Sequence, residues 1–243
     1  MPVLPVRVVV VVVLCMSEIL LSVIVPVRNE SSRCVPLLTQ LQPLRSNGCE
    51  VIVVDGQSSD DTEYCVLPLV DQLLEGEVGR AKQMNTGAAK ANGKWLWFLH
   101  ADSCLPPDIM SWVGQLKHME KGWGFFPIRL SGEAWPFRVI ERFICWRSRW
   151  TKVATGDQGL FFSRRLFQSM GGFGNLPLME DVAISKYMRK RYNPMIVEYL
   201  LETSSRRWQE EGVVKTVLLM WGLRLAYFFG VPPRYLAKVY YGA

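Results

Sequence analysis

The chain has 243 residues, 49% hydrophobic and 21% charged, an ordinary balance for a globular protein and enough length for one large domain or two small ones. A formal charge of +6 favours anionic partners such as nucleotides, phosphates or anionic lipid, but the basic residues are scattered and no nucleic-acid motif is present, which argues against a nucleic-acid partner. The six cysteines form no CxxC pair and have no histidine beside them, the pattern of free, mostly buried thiols in a reducing compartment such as the cytoplasm.

The chain starts with an apolar extension over residues 1–17, "PVLPVRVVVVVVLC" and its flanks, too short to span a bilayer. Met16-Ser17-Glu18 directly precedes the first strand, so this segment reads either as an upstream extension or as a weak membrane contact. Three apolar runs then predict parallel strands, "LLSVIVPV" at 20–27, "VIVVDG" at 51–56 and "WLWFLHAD" at 95–102. Segments of helical length lie between them, Ser32–Leu44 and Gly79–Asn92. Strand, helix, strand in repetition argues a doubly wound, mostly parallel α/β sheet with right-handed crossovers.

Each run ends in polar residues. The first gives way to Arg28-Asn29-Glu30, the second to Asp55 and "GQSSDD", the third to His100 and Asp102. In a doubly wound sheet, ligands bind outside the carboxyl ends of the strands, so these groups converge on one site. There is no GxGxxG after the first strand and no GxxxxGK[ST], which weakens dinucleotide and P-loop readings. Carboxylates suit ribose hydroxyls, base N–H groups and a hard cation, and a cation suits a diphosphate. The pattern predicts a nucleoside diphosphate held by metal.

Downstream, "WPFRVIERFICWRSRW" at 135–150 places Arg138, Arg142 and Arg149 on one helical face, either an interfacial helix for an anionic membrane surface or a solvated basic face. "ATGDQG" at 154–159 is turn-like. Glu180 and Asp181 in "LMEDV" read, by themselves, as first-turn carboxylates of the helix that follows. "VVKTVLLMWGLRLAYFFG" at 213–230 is apolar almost all round, a helix either buried or resting on a membrane.

The motifs "LSVIVPVRNE", "VIVVDGQSSDDT", "GRAKQMNTGAAKANGKWLWFLHAD", "GDQGLFF", "LMEDVAIS" and "SSRRW" resemble, in that order, the family 2 glycosyltransferases of the GT-A fold. Closest in look is the small bacterial branch labelled arsenosugar-biosynthesis or diaponeurosporenoate-type glycosyltransferase. The resemblance implies a GT-A domain over residues 18–210, with apolar C-terminal helices over 211–243 packed on the domain or on a membrane surface. It also implies transfer of a sugar from a nucleotide-diphosphate sugar, with inversion, to a small or lipid-like acceptor hydroxyl, with Mn²⁺ or Mg²⁺ as cofactor.

Carried over by position, the resemblance implies that Pro26, Asn29 and Glu30 shape the nucleotide pocket, that Asp55 contacts base or ribose with Asp60 nearby, and that Arg80 and Gln83 lie on the donor. Asp102 matches the last aspartate of the family's DXD motif, with His100 in place of the first, so His100 is either a second metal ligand or a structural group. Asp181 matches the catalytic base. Arg207 and Trp208 match the family's QxxRW motif, with Ser204 in place of Gln, and would hold the leaving diphosphate. Asp157, Gln158, Glu180 and the three arginines are acceptor-side candidates. Two other readings stand beside it: a metal-dependent nucleotidyltransferase or phosphohydrolase, which could use the same strand-end carboxylates, and a membrane-associated nucleotide-binding module, supported by the apolar ends and the basic stripe.

Overall fold

The computed structural model describes residues 18–242, except the side chain of Arg207. The 1–17 extension lies outside the described residues. Nine strands are present among them: β1 (Leu21–Val27), β2 (Cys49–Asp55), β3 (Gln72–Glu75), β4 (Trp95–Phe98), β5 (Trp123–Phe125), β6 (Ile128–Leu130), β7 (Phe161–Ser163), β8 (Met195–Ile196) and β9 (Leu201–Thr203). The helices of the first half are α1 (Ser31–Gln40), α2 (Gln42–Arg45), α3 (Thr62–Val66), α4 (Arg80–Lys90) and α5 (Ile109–Leu116). Those of the second half are α6 (Trp135–Thr151), α7 (Arg164–Ser169), α8 (Glu180–Met188), α9 (Arg206–Glu211), α10 (Val213–Phe228) and α11 (Pro233–Tyr241).

Seven strands form one sheet in the order β3-β2-β1-β4-β7-β5-β8, and β6 pairs with β9 beside it. β1 runs parallel to both β2 and β4, so the strand order reverses at β1 and opens a crevice at the carboxyl ends of these three strands. β7 is inserted antiparallel between β4 and β5, turning a purely parallel sheet into a mixed one. The expected strand at 95–102 is shorter than its apolar run suggests: pairing stops at Phe98, and His100 and Asp102 stand in the connection beyond it.

Both sheet faces are covered, which is why β1, β2 and β4 are nearly all apolar. One face packs Val23, Val25, Val51, Trp97 and Phe161 against α1 and α5, where Trp97, Trp112 and Phe126 have ring centroids within 4.8–5.1 Å of one another. The other packs Ile24, Val54, Phe98 and Phe162 against α4 and α7. α4 lies so close that a Cβ on Gly87 would stand 2.6 Å from Ile24 Cγ2, so only glycine fits there. At the opposite end of the sheet, the buried Glu50 carboxylate accepts hydrogen bonds from Ser22 Oγ, Asn92 N and Gly93 N, pinning the entry to β4 onto β1 and β2.

α10 is neither fully buried nor fully exposed. Leu223 packs with Val153, Met179, Val182 and Leu236, so α10 and α11 wall the start of α8. The far side of α10 carries exposed Val214, Leu218, Trp221, Leu225 and Phe228.

Candidate active site

The wall at the ends of β1 and β2 is knitted by its own polar side chains. Asn29, at φ 54°, donates its backbone N–H to Ser58 Oγ and accepts from Ser59 N through Oδ1 at 2.8 Å. Asp55 accepts from the backbone and hydroxyl of Ser58, and Asp60 from the backbone and hydroxyl of Thr62 and, at 3.4 Å, from Ser31 N. The Thr62 hydroxyl bond, chiefly, holds the Asp60 carboxyl below the usual carboxylate range. Pro26 pairs with Val54 in the β1–β2 register, and Glu30 N bonds Thr62 Oγ1 at 2.9 Å. These five residues thus stand together at the carboxyl ends of β1 and β2, with part of the Asp55 and Asp60 acceptor capacity already used by the loop.

Gln83 is placed differently from its sequence-based role. It is buried, and its amide nitrogen donates to Val27 O at 2.8 Å and Val54 O at 2.9 Å, clamping the ends of β1 and β2 together. Arg80, three residues earlier, opens α4 and stands 4.0 Å from Glu180 Oε1.

Around Arg80 the remaining groups assemble. Asp181 occupies the first turn of α8, where its Oδ2 accepts from Gly156 N at 2.6 Å and its Oδ1 from Val182 N at 2.7 Å. Each oxygen keeps a second lone pair for another proton donor. Burial, and then the neighbouring Glu180 charge, push the Asp181 carboxyl up to about 7 against the opposing pull of the two N–H groups and Arg80. Burial and the Arg80 charge hold the His100 imidazole well below its ordinary value, so it is neutral near pH 7. Its Nε2 faces Gly156, 2.7 Å from where a Cβ would stand, and a Cβ there would lie 3.6 Å from Asp181 Oδ2.

Asp102 lines an open groove of about 390 Å³ with Arg33, Ser103, Ser204 and Arg206. Partial burial in the cleft and the like charges of Glu30 and Asp157 raise its carboxyl above the ordinary value, while Arg80 pulls the other way. Such a crowd of like charge suits a cation. Among the described residues no three His, Cys, Asp or Glu side chains cluster to cage a metal, and His100 directs Nε2 at the Gly156 turn. The donor set therefore fits an ion that takes one carboxylate, Asp102, and fills its other positions from a ligand.

Three further residues depart from their expected places. Gln158 is fully buried: its Oε1 accepts from Ser148 Oγ, Thr155 N and Thr155 Oγ1, and its Nε2 donates to Phe126 O, so it holds the turn rather than an acceptor. Trp208 packs with Ile128, Leu130 and Phe137 under α6, a core contact rather than an open one. Arg138 is spent on Leu130 O, Gly132 O and the Glu141 carboxylate because the β6–α6 connection needs a donor there, whereas Arg142 and Arg149 are exposed. The side chain of Arg207 lies outside the described residues, and its neighbour Arg206 lines the Asp102 groove. Glu180 is buried against Arg80.

The sequence reading missed Arg147, whose Nη2 donates to Ser148 Oγ at 3.1 Å and whose guanidinium feels both Asp157 and Asp181. It also missed Gly156. Arg147 is two residues from Arg149, hence roughly on the other side of the helix from the basic stripe, and that phase was the available signal.

Comparison with known families then bears on the site. The profile described as "Glycosyl transferase family 2" matches residues 22–123, the segment holding the strand ends and Asp102. This segment is thus similar to the glycosyl transferase family 2 domain. An uncharacterized glycosyltransferase of Haemophilus influenzae is 34% identical over 93 residues, 37% of this chain and 31% of that one. Another, of Mycobacterium tuberculosis, is 32% identical over 141 residues, 51% of this chain and 50% of that one. The chain thus spans between about a third and a half of the length of the curated relatives it matches.

Among solved structures, Staphylococcus aureus TarS (residues 1–349, in complex with UDP-GlcNAc) superposes with a TM-score of 0.62 at 18% identity, over 76% of this chain and 58% of that one. Glucosyl-3-phosphoglycerate synthase of M. tuberculosis, with Mn²⁺, UDP and glucosyl-3-phosphoglycerate, gives 0.56 at 20% identity, over 76% and 70%. The mannosyltransferase PcManGT of Pyrobaculum calidifontis, with GDP-Man and Mn²⁺, gives 0.53 at 23%, over 75% and 56%. At such identities the likeness establishes the fold, the mostly parallel GT-A sheet with flanking helices.

Proposed function

We propose that this protein transfers a sugar from a nucleotide-diphosphate sugar to an acceptor hydroxyl with inversion at the anomeric carbon. The observation that carries the reading is Asp181, a carboxylate raised to about 7 beside the switch-point crevice and within a family 2 fold. A general base works best when its pKa lies near the working pH, because it is then ionised yet still basic. The acceptor oxygen bonds to the anomeric carbon as the carbon–oxygen bond to the diphosphate breaks. The bonding pair departs with the nucleoside diphosphate, and the acceptor proton passes to Asp181. Attack from the face opposite the leaving group inverts the centre.

Asn29, Asp55 and Pro26 frame the nucleoside end, and Arg80 spreads positive charge along the crevice beside Asp102 and Asp181. Asp102 would hold a divalent cation, Mn²⁺ or Mg²⁺, whose chemistry is to neutralise charge on the departing diphosphate. The neighbours solved with UDP-GlcNAc, GDP-Man and Mn²⁺ support that donor class.

The protein acts at a membrane surface on a lipid-like acceptor, and a specific face supports this. On α6, Trp135, Val139, Phe143, Trp146 and Trp150 are 40–76% exposed at intervals of three and four residues. Phe143 meets Trp221 of α10 with ring centroids 5.1 Å apart, joining this stripe to the apolar side of α10. Exposed Arg142 and Arg149 border it, so an apolar, aromatic platform is flanked by positive charge, the composition of an interfacial surface for anionic lipid. No helix among the described residues is long and apolar enough to cross a membrane. Peripheral docking at the inner face of a bacterial membrane agrees with the diaponeurosporenoate-type branch that the motifs resemble. Incubation with a panel of nucleotide sugars tests the reading: sugar transfer or slow sugar hydrolysis supports it, and cleavage between the phosphates, or binding without cleavage, refutes it.

A further inference from the structure

Next to Asp181, three buried polar atoms have no hydrogen-bond partner: His100 Nε2, Arg147 Nε and Asp157 Oδ1. They belong to one neighbourhood. Ser148 Oγ receives Arg147 Nη2 at 3.1 Å and donates to Gln158 Oε1 at 2.8 Å, which ties the guanidinium to the 156–158 turn. Asp157 sits in that turn, Gly156 N is 2.6 Å from Asp181 Oδ2, and His100 Nε2 faces Gly156 from the other side. Native proteins pair nearly all their buried polar groups, so three unpaired ones beside a catalytic carboxylate mark a place completed by a polar molecule.

Resting on the transferase reading of Asp181, we infer that His100, Arg147 and Asp157 form an acceptor subsite for a neutral, hydroxyl-rich group: a polyol or sugar, free or as a lipid headgroup. The chemistry of the three atoms selects that class. The Arg147 guanidinium can only donate and a carboxylate oxygen such as Asp157 Oδ1 accepts, whereas a hydroxyl does both and so suits either atom. A further hydroxyl of the same molecule suits His100 Nε2. An anionic acceptor is disfavoured, because Asp157 and Asp181 bring like charge and the Arg147 and Arg80 charges already serve those carboxylates and Asp102. Gly156 leaves Nε2 without a side chain against it, since a Cβ there would stand only 2.7 Å away.

The test uses the full chain with a nucleotide sugar that it cleaves, and glycerol, 1-propanol or glycerol 3-phosphate as probe acceptors. The readout is the ratio of glycoside to free sugar, which reports the acceptor subsite independently of how fast donor is consumed. Glycerol should capture sugar at least ~10 times better than 1-propanol, which has the same carbon skeleton and one hydroxyl, since hydrogen bonds to charged groups discriminate on that scale. Arg147→Gln and Asp157→Asn should each lower the glycerol ratio about tenfold. Arg147→Lys, which keeps the charge and loses Nε–H, and Gly156→Ala, which covers His100, should lower it as well.

A ratio unmoved by these variants, equal capture of glycerol and 1-propanol, absence of glycerol capture, or a preference for glycerol 3-phosphate would each overturn the subsite while leaving the transferase reading standing. If the unaltered chain cleaves no nucleotide sugar, both readings fall.

Discussion

Replacing Asp181 by asparagine separates a base from a structural carboxylate. The asparagine oxygen can accept from only one of Gly156 N and Val182 N, and its NH₂ opposes the other, so one partly buried N–H is left unpaired at a cost of about 1–3 kcal/mol. The fold should survive that. If Asp181 takes the acceptor proton, transfer should fall by a factor of roughly 10²–10⁴ while donor affinity is kept, because a base acts on the transition state.

The pH profile supplies the sharper signature. With the Asp181 carboxyl near 7, only about a tenth is ionised one pH unit lower, so the transfer rate should fall roughly tenfold per unit below 7 and level off above 8. Stability should run the other way. The unfolded chain releases this proton near 3.8 and the folded chain near 7, so this group withdraws stability as pH rises through that interval, and Asp181→Asn should flatten the slope. Stopped assays across pH 5–9, with denaturant melts of both proteins, measure both. A profile flat through pH 7, or equal losses in donor binding and rate, would refute the assignment.

Asp102→Asn should abolish the metal dependence of donor binding, followed by calorimetry with and without Mn²⁺, and leave the melting temperature nearly unchanged because the two side chains are nearly isosteric. Glu50→Ala should destabilise the fold by roughly 2 kcal/mol or more in a urea melt, because it strands the Ser22 hydroxyl and the Asn92 N–H at the buried end of the sheet, while Gly93 N keeps Ser22 Oγ. Changing Arg142 and Arg149 together to Gln should weaken sedimentation with anionic vesicles about tenfold or more, at roughly 1 kcal/mol per arginine, and high salt should mimic the change. Changing Trp146, Trp150 and Trp221 to Ser should weaken binding to neutral vesicles as well, and no loss would remove the docking face.

The crevice was legible in the sequence because β1, β2 and the start of β4 are continuous apolar runs whose polar ends must sit at one edge of a parallel sheet. β5 to β9 were not, since each is two or three residues long and held by partners far along the chain, as Gly124 is by Phe161 and Met195. Within the site, position alone suggested Gln83 and Gln158 as ligand contacts. Both are buried amides that satisfy backbone groups, a role that depends on loops whose approach no local pattern encodes. Arg138 shared the basic stripe yet is held by carbonyls of the preceding connection, and Arg147, off the stripe, faces the chemistry. Helical phase identifies which residues share a face but not which face meets the site.

The most direct test of the transferase reading follows the anomeric proton by NMR while the full chain, with Mn²⁺, consumes α-linked UDP- and GDP-sugars in the presence of glycerol. The account predicts release of intact nucleoside diphosphate and a β-linked glycoside, lost in Asp181→Asn. An α-linked product, or release of nucleoside monophosphate with sugar phosphate, would contradict it.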